Sequence, residues 1–473
     1  MNAEPLDPSD WDAYRRILHR AVDDVVDDLA AVRDGPAWKP VPEAVKAALR
    51  EPLPREGEPL EDVLARYDEL IRPYPTGNRH PRFFGWVHGA GNAAGVVAEL
   101  LAAGLNANVG GREHAAVYVE REVIAWFREL FGFPHSASGV LTSGTSMGNL
   151  LAIVAAREAA GPAGGDDASA SRLTAYAAAG VHDSVAKALR IAGLGRDALR
   201  LVPVDALRAR IAADRAAGLR PFLVVATAGS VDTGAFDPLD RLAELCADER
   251  MWLHVDGAFG AFAITSPAHA DLVAGIERAD SLAFDAHKWL HAPYSAGCVL
   301  FRDEAAHRAG FSSAPAYLSR AERGAAAGAP WFADYGLELS REFRALKVWF
   351  TLRHYGTTRL GAAIAHTCEL AAELARRVAA ASDLELLAPV TLNVVCFRAV
   401  RAGFDESRLD ALNDAIAIGV QESGAAVPST TLVGGRLALR VCIVNHRTRE
   451  DDLDVLLDAV RAQARAYAAD APA

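Results

Sequence analysis

Short apolar runs alternate with helical stretches from about residue 100 to residue 302, and no other feature limits the fold of this chain so strongly. Residues 172–178, 221–227, 252–256, 281–284 and 297–301 each read as a buried strand, and 183–191 and 239–249 read as helices between them. The pattern predicts an α/β fold, a mostly parallel sheet flanked by helices. Ligands bind such sheets where strands end, and Asp256 and Asp285 both fall at expected strand ends.

The flanking regions read differently. Residues 11–32 form an amphipathic helical pattern that Gly35-Pro36 stops, and 60–71 form a second. Pro40, Pro42, Pro52, Pro54, Pro59, Pro73 and Pro75 leave too few contiguous residues for a core, so residues 1–85 are expected to be a helical arm that covers another surface, such as a second subunit. The apolar stretch 96–105 is broken by Gly104 and reads as a buried helix. A Gly/Ala-rich linker at 324–329 precedes a helix at 341–355. Strands at 391–398 and 436–444 with helices at 409–422 and 451–467 predict a small α+β C-terminal domain. The expected division is 1–85, 86–378 and 379–473.

A chain of 473 residues has ample material for a buried site, and 51% hydrophobic against 23% charged residues is a globular balance. The 49 basic and 61 acidic residues give a formal charge of -12 without a long basic run, which argues against a nucleic-acid partner. Cys246, Cys298, Cys368, Cys396 and Cys442 are dispersed without CxxC spacing and are expected to be reduced core residues of a cytoplasmic protein, with no metal site. The acidic start lacks the order of a secretion signal, and no apolar run approaches a bilayer's thickness, so no membrane partner is expected.

Four segments carry chemistry. Lys288 follows His287 after the apolar run that begins at Ser281, downstream of the run ending in Asp256. Lysine forms Schiff bases with carbonyl cofactors, and an anionic partner keeps a pyridine nitrogen protonated so that the ring accepts electrons; Lys288 and Asp256 therefore fit a pyridoxal 5'-phosphate site. Thr142-Ser143-Gly144-Thr145-Ser146 leads into an apolar helix, where free N–H groups and the helix dipole favour a phosphate, although an ordinary Ser/Thr cap has the same pattern. His182, between a strand and a helix, can stack on a ring and exchange protons near neutrality. In His254-Val255-Asp256-Gly257-Ala258 the carboxylate would be held ionised by a pyridinium and Ala258 leaves room for a flat ring; the other reading of Asp256 is a helix cap or ion-pair partner.

In this order the segments 142–150, His182, 254–258 and Asp285-Ala286-His287-Lys288-Trp289 resemble the group II pyridoxal-phosphate-dependent decarboxylases, a fold-type-I family that includes aromatic-L-amino-acid, histidine and glutamate decarboxylases. The resemblance extends from His80-Pro81-Arg82-Phe83-Phe84 through residues 343–350. It implies that Lys288 carries the cofactor, Asp256 pairs with its ring nitrogen, His182 and Ala258 take its two faces, and Gly144, Thr145 and Ser146 cradle its phosphate. His287 and Asp285 are implied beside them. Asp285 stands where aromatic-substrate members have asparagine, and a carboxylate cannot donate to phosphate as an amide does.

The resemblance also implies that Tyr317, on a loop, protonates the carbanion left by carbon dioxide, where related aldehyde synthases carry phenylalanine. The implied reaction converts an L-amino acid to its amine in a homodimer. Its substrate pocket would combine Trp86 and His88 with Asn106 and Asn108 from a neighbouring subunit. Amides buried beside an unsubstituted phenyl ring lose about 1 to 3 kcal/mol each, so a ring with polar substituents is expected. Aldehyde synthesis, aminotransferase or lyase chemistry, and a non-enzymatic relic are the alternatives. Arg440 is expected to be structural, because a clamp would hold a carboxylate charge that decarboxylation must lose.

Overall fold

A computed structural model describes residues 6–161, 172–312 and 321–470. The expected strands lie in one seven-stranded sheet, formed by β1 (Ser138–Thr142), β2 (Leu173–Ala177), β3 (Leu199–Leu201), β4 (Arg220–Thr227), β5 (Trp252–Asp256), β6 (Ser281–Asp285) and β7 (Gly297–Phe301) in the order β1-β7-β6-β5-β4-β2-β3. Strands β2 to β6 run parallel, and β7 runs antiparallel to both of its neighbours. The α/β expectation therefore holds.

β1 and the short β3 are additions. Ser138-Gly139-Val140-Leu141-Thr142 carries only two large apolar side chains, yet all five residues are buried. It is a strand because of what it meets: β7 on one edge and the helix Ala115–Leu130 on one face, so close that a Cβ on Gly139 would lie 2.7 Å from Leu300. Behind this edge Phe127, Phe131, Phe262 and Phe284 interlock, with Phe284 4.8 Å in centroid distance from both Phe127 and Phe131. Tilted aromatic contacts of this kind add to the burial of each ring. The helix Thr145–Ala159 packs across β5, β6 and β7 and directs its first turn at the strand ends.

The helix expected at 341–355 is longer, Arg344–Ala380, and leaves helical geometry at Gly356, with φ 67° and ψ 160°. Glycine reaches that conformation without a Cβ penalty, so the chain kinks there and continues. Beyond the kink it joins a second core with Phe84, Val395, Phe397, Ile416, Leu439 and Leu453. That core lies on a four-stranded antiparallel sheet of β8 (Leu384–Leu386), β9 (Val394–Ala399), β10 (Ser429–Val433) and β11 (Arg436–Cys442), in the order β10-β11-β9-β8, backed by helices Glu406–Glu422 and Glu450–Asp470. Here β8 and β10 were not anticipated.

One expectation is overturned. The helix Ala93–Leu105 forms where the apolar stretch predicts, but it is not buried: Val97, Leu100, Leu101 and Leu105 are between 46% and 66% exposed. Only Gly95 and Ala98 turn inward, so the outer apolar face has no cover in this chain. The N-terminal helices Trp11–Ala30 and Leu60–Leu70 bury no residue either, and Arg72 ties them together through Asp24, Asp28 and Asp68. Among the described residues no helix is long and apolar enough to cross a membrane, and no cluster of side chains could hold a metal. All five cysteines are buried and unpaired.

Candidate active site

A cavity of about 470 Å³ opens where β4, β5 and β6 end and where β1 turns into the helix Thr145–Ala159. Strand ends are where open parallel sheets bind ligands, because the loops there diverge. Trp86, His88, Gly144, Thr145, Ser146, His182, Asp256, Ala258, Asp285, His287 and Lys288 all line it. Tyr317 lies outside the described residues. Asn106 and Asn108 do not line the cavity of their own subunit. Asn106 is the exposed, left-handed C-cap of Ala93–Leu105. The Asn108 side-chain carbonyl accepts from Gly110 and Arg341 backbone N–H groups at 2.9 and 3.0 Å and so staples a loop.

The Lys288 side of the cavity is a set of charge pairs. Lys288 Nζ sits 3.1 Å from Asp285 Oδ2, and Asp285 Oδ1 accepts from the Thr145 backbone N–H at 2.7 Å. Asp285 thus occupies a helix N-terminus and a lysine at once. His287 Nδ1 accepts from the Ala296 N–H at 3.1 Å, and burial keeps this imidazole neutral by lowering its pKa. Gly297 must remain bare, because a Cβ there would lie 2.5 Å from Gly144.

Across the cavity, Asp256 at the end of β5 is buried and accepts from Asn149 Nδ2 at 2.8 Å and from the Ala258 N–H at 3.2 Å. His182 is the N-cap of the helix Asp183–Ile191. Its Nδ1 lies 2.8 Å from Ser184 Oγ and accepts from the Ser184 backbone N–H at 3.2 Å. A third wall is aromatic. Trp86 and His88 stack at 5.8 Å, His88 stacks on Phe83 at 5.8 Å, and Tyr294 stands 6.2 Å from His88 and 4.2 Å from His287. Burial and the nearby Lys288 cation lower the pKa of His88, so this wall is uncharged.

Asn149, Ser184, Thr227 and Tyr294 were not singled out from sequence. Asn149 had one signal, a polar residue inside the apolar run that follows Thr145.

The donor set fits pyridoxal phosphate. Thr145 Oγ1 is buried with no hydrogen-bond partner, and the N-cap of the helix it opens is Gly144, which has no side chain to cap it. An unmet donor at a helix N-terminus suits a phosphate, while Lys288 and Asp256 supply an amine and a carboxylate in the same cavity. The sequence profile of the pyridoxal-dependent decarboxylase conserved domain matches residues 42–400. The chain belongs to the pyridoxal-dependent decarboxylases. It is 33% identical to the aromatic-L-amino-acid decarboxylase of Bacillus atrophaeus over 95% of both chains. A phenylacetaldehyde synthase of Petunia hybrida is 29% identical over 96% of this chain and 94% of its own. Among solved structures, Oryza sativa TDC with PLP and tryptamine superposes with a TM-score of 0.89 at 27% identity, over 98% of this chain and all of that one. This decarboxylase is therefore a fold-type-I enzyme that uses pyridoxal phosphate to release carbon dioxide from an amino acid.

Proposed function

We propose that the decarboxylase acts on aromatic L-amino acids and releases the amine. The observation that carries this is the uncharged ring wall of Trp86, His88 and Tyr294 facing the lysine cavity. Such a wall binds a flat side chain by stacking and gives a charged one nothing to pair with. The relative from Bacillus atrophaeus points the same way. A panel of amino acids assayed for carbon dioxide and amine tests it. Tryptophan, tyrosine, phenylalanine and their hydroxylated forms should exceed glutamate and aspartate by at least about a hundredfold in kcat/KM. Comparable turnover of an acidic substrate defeats the assignment.

In this reading Lys288 holds the cofactor covalently and Gly144, Thr145 and Ser146 hold its phosphate. Asp256 holds the ring nitrogen, with His182 and Ala258 against the two faces. Bound there, the cofactor supplies an electron sink for the pair left by departing carbon dioxide. Asp256, fixed by Asn149 and Ala258, keeps negative charge where positive charge must persist. Among the described residues no arginine lines the cavity to clamp the carboxylate to be lost. Arg440 is occupied elsewhere, donating to Ser429 Oγ and the Val231 carbonyl, each at 3.0 Å.

Tyr317 is the proposed proton donor. Tyr317→Phe should divert product from amine to aldehyde, with ammonia and peroxide formed at the expense of oxygen; an unchanged amine yield removes Tyr317 from the step. A wild type that makes aldehyde would instead align the enzyme with relatives like the Petunia synthase.

Asp285 is proposed to set cofactor affinity. Its carboxylate already takes the Thr145 N–H and pairs with Lys288, so it competes with an incoming dianion. Asp285→Asn keeps an acceptor for Thr145 and removes the charge, and should tighten pyridoxal phosphate binding by about tenfold in a fluorescence titration. Weaker binding would show that the carboxylate instead assists through Lys288.

We further propose a cytoplasmic homodimer with a division near 1–85, 86–378 and 379–473. The four-stranded antiparallel sheet β10-β11-β9-β8, distinct from the seven-stranded one, supports the last boundary, and the uncovered apolar faces of Trp11–Ala30 and Ala93–Leu105 support the dimer. Sedimentation equilibrium should give twice the chain mass, and a monomer at micromolar concentration would overturn it.

A further inference from the structure

Behind the cavity a chain of hydrogen-bonded polar groups runs along β5 beside the helix Thr145–Ala159, and its donors and acceptors can be assigned in only one direction. Trp252 Nε1–H, which can only donate, reaches Ser281 Oγ at 2.8 Å. Asn149 gives its amide protons to Asp256 and Ser184 and so turns its oxygen to His254, which leaves His254 Nδ1 bare to accept from the Ser281 hydroxyl at 2.9 Å. His254 consequently carries its proton on Nε2, which donates to Asn149 Oδ1 at 2.9 Å. The two amide protons of Asn149 go to Asp256 Oδ2 at 2.8 Å and to Ser184 Oγ at 3.0 Å. The reverse orientation of this amide would set its oxygen against a carboxylate oxygen, so it is excluded. His182 Nδ1 accepts from the Ser184 backbone N–H and so carries no proton, which leaves the Ser184 hydroxyl as its donor at 2.8 Å.

The inner links are buried, with Asn149, His254 and Ser281 fully enclosed and Ser184 and Asp256 almost so; Trp252 at one end is half-buried and His182 at the other is exposed. His182 Nδ1 receives a second donor, the Ser184 backbone N–H, so it cannot carry a proton. Burial lowers the His254 pKa to about 4, which keeps that ring neutral as the chain requires.

We propose that Asn149 is a positioning residue that serves both faces of the cofactor site: it aims the Asp256 carboxylate and, through Ser184, fixes His182 as the neutral tautomer with Nε2–H toward the cavity. The inference rests on the cofactor reading above. It makes His182 a hydrogen-bond donor to whatever lies in the cavity, and excludes it as a base through Nε2. One side chain thereby couples two groups that are 74 positions apart in sequence, His182 and Asp256.

The test uses cofactor-free protein labelled with 15N in histidine. Wild type should show a bare Nδ1 and a protonated Nε2 for both His182 and His254. Asn149→Leu, which keeps shape but removes all three bonds, should average the tautomers of both rings. Ser184→Ala should affect His182 alone, and Ser184→Thr, which retains the hydroxyl, should restore the wild-type pattern. In a parallel titration Asn149→Leu should weaken pyridoxal phosphate binding by about tenfold or more. A protonated Nδ1 on His182 in wild type, or unchanged tautomers in a folded Asn149→Leu or Ser184→Ala protein, overturns the proposal. A wild type that gains no visible absorption dependent on Lys288 when pyridoxal phosphate is added overturns the cofactor assignment instead, whatever the imidazole spectra show.

Discussion

Asp256→Ala is expected to lower kcat by roughly 10³-fold, about 4 kcal/mol of transition-state stabilisation, while the protein still takes up pyridoxal phosphate through Lys288. The reason is the division of labour proposed for the cavity. Lys288 and the turn at Gly144 to Ser146 determine whether the cofactor is held, and the buried carboxylate determines how well its ring accepts electrons. Because Asp256 is nearly inaccessible to solvent and is oriented by Asn149 and Ala258, no water or neighbouring acid can replace it. Two measurements separate the roles: visible absorption on adding cofactor, and carbon dioxide release with saturating substrate. Lys288→Ala should lose both, whereas Asp256→Ala should lose only the second. Near-normal turnover without Asp256 would refute the electronic role, and failure to take up cofactor would make Asp256 a binding group.

The largest expected effect on folding comes from a residue outside the cavity. Arg341 and Glu120 form a buried pair, with 2% and 0% of their side chains exposed. The guanidinium gives both ends of its fork to the carboxylate, at 2.6 and 3.1 Å, and also donates to the carbonyls of Leu141 and Val109. Glu120 returns to the same strand by accepting from the Leu141 N–H at 3.0 Å. Two of these bonds, to the Leu141 carbonyl and from the Leu141 N–H, tie the pair to β1, the strand that leads into Gly144. Arg341→Met strands a charged carboxylate and two carbonyls, and should cost about 3 to 5 kcal/mol of stability in urea denaturation. Replacing both partners, Arg341→Met with Glu120→Leu, should recover most of that loss, since two apolar groups leave no buried charge behind. A single variant as stable as wild type would mean that water reaches the pair when the fork is removed.

Much of this molecule could be read from its sequence because the informative residues repeat a local pattern. β4, β5, β6 and β7 are runs of apolar residues, and their ends carry the functional groups Asp256, Asp285 and Lys288 in plain view. Strand β1 escaped because its burial comes from partners, with Ser138 opposite Phe301 and Gly139 opposite Leu300. The exposed face of Ala93–Leu105 escaped for the opposite reason: hydropathy reports that a face needs covering, not which chain covers it. The staple from Asn108 escaped because it reaches Arg341, 233 positions away. Asn149 was passed over on the same ground, since its worth lies in bonds to Ser184, His254 and Asp256 that no local window contains.

The pairing of β1 with β7 also bears on how the molecule is made. Among the described residues β1 pairs in the sheet with β7 alone, more than 150 residues later, when Gly297–Phe301 has been synthesised. At ribosomal rates that interval is roughly 10 to 30 s. During it the segment around Gly144 has a helix but no strand to close against, and Phe127 and Phe131 await Phe284. The half of the cavity that receives the phosphate is therefore completed late, and a nascent chain stalled before β7 should present a sticky apolar edge to chaperones.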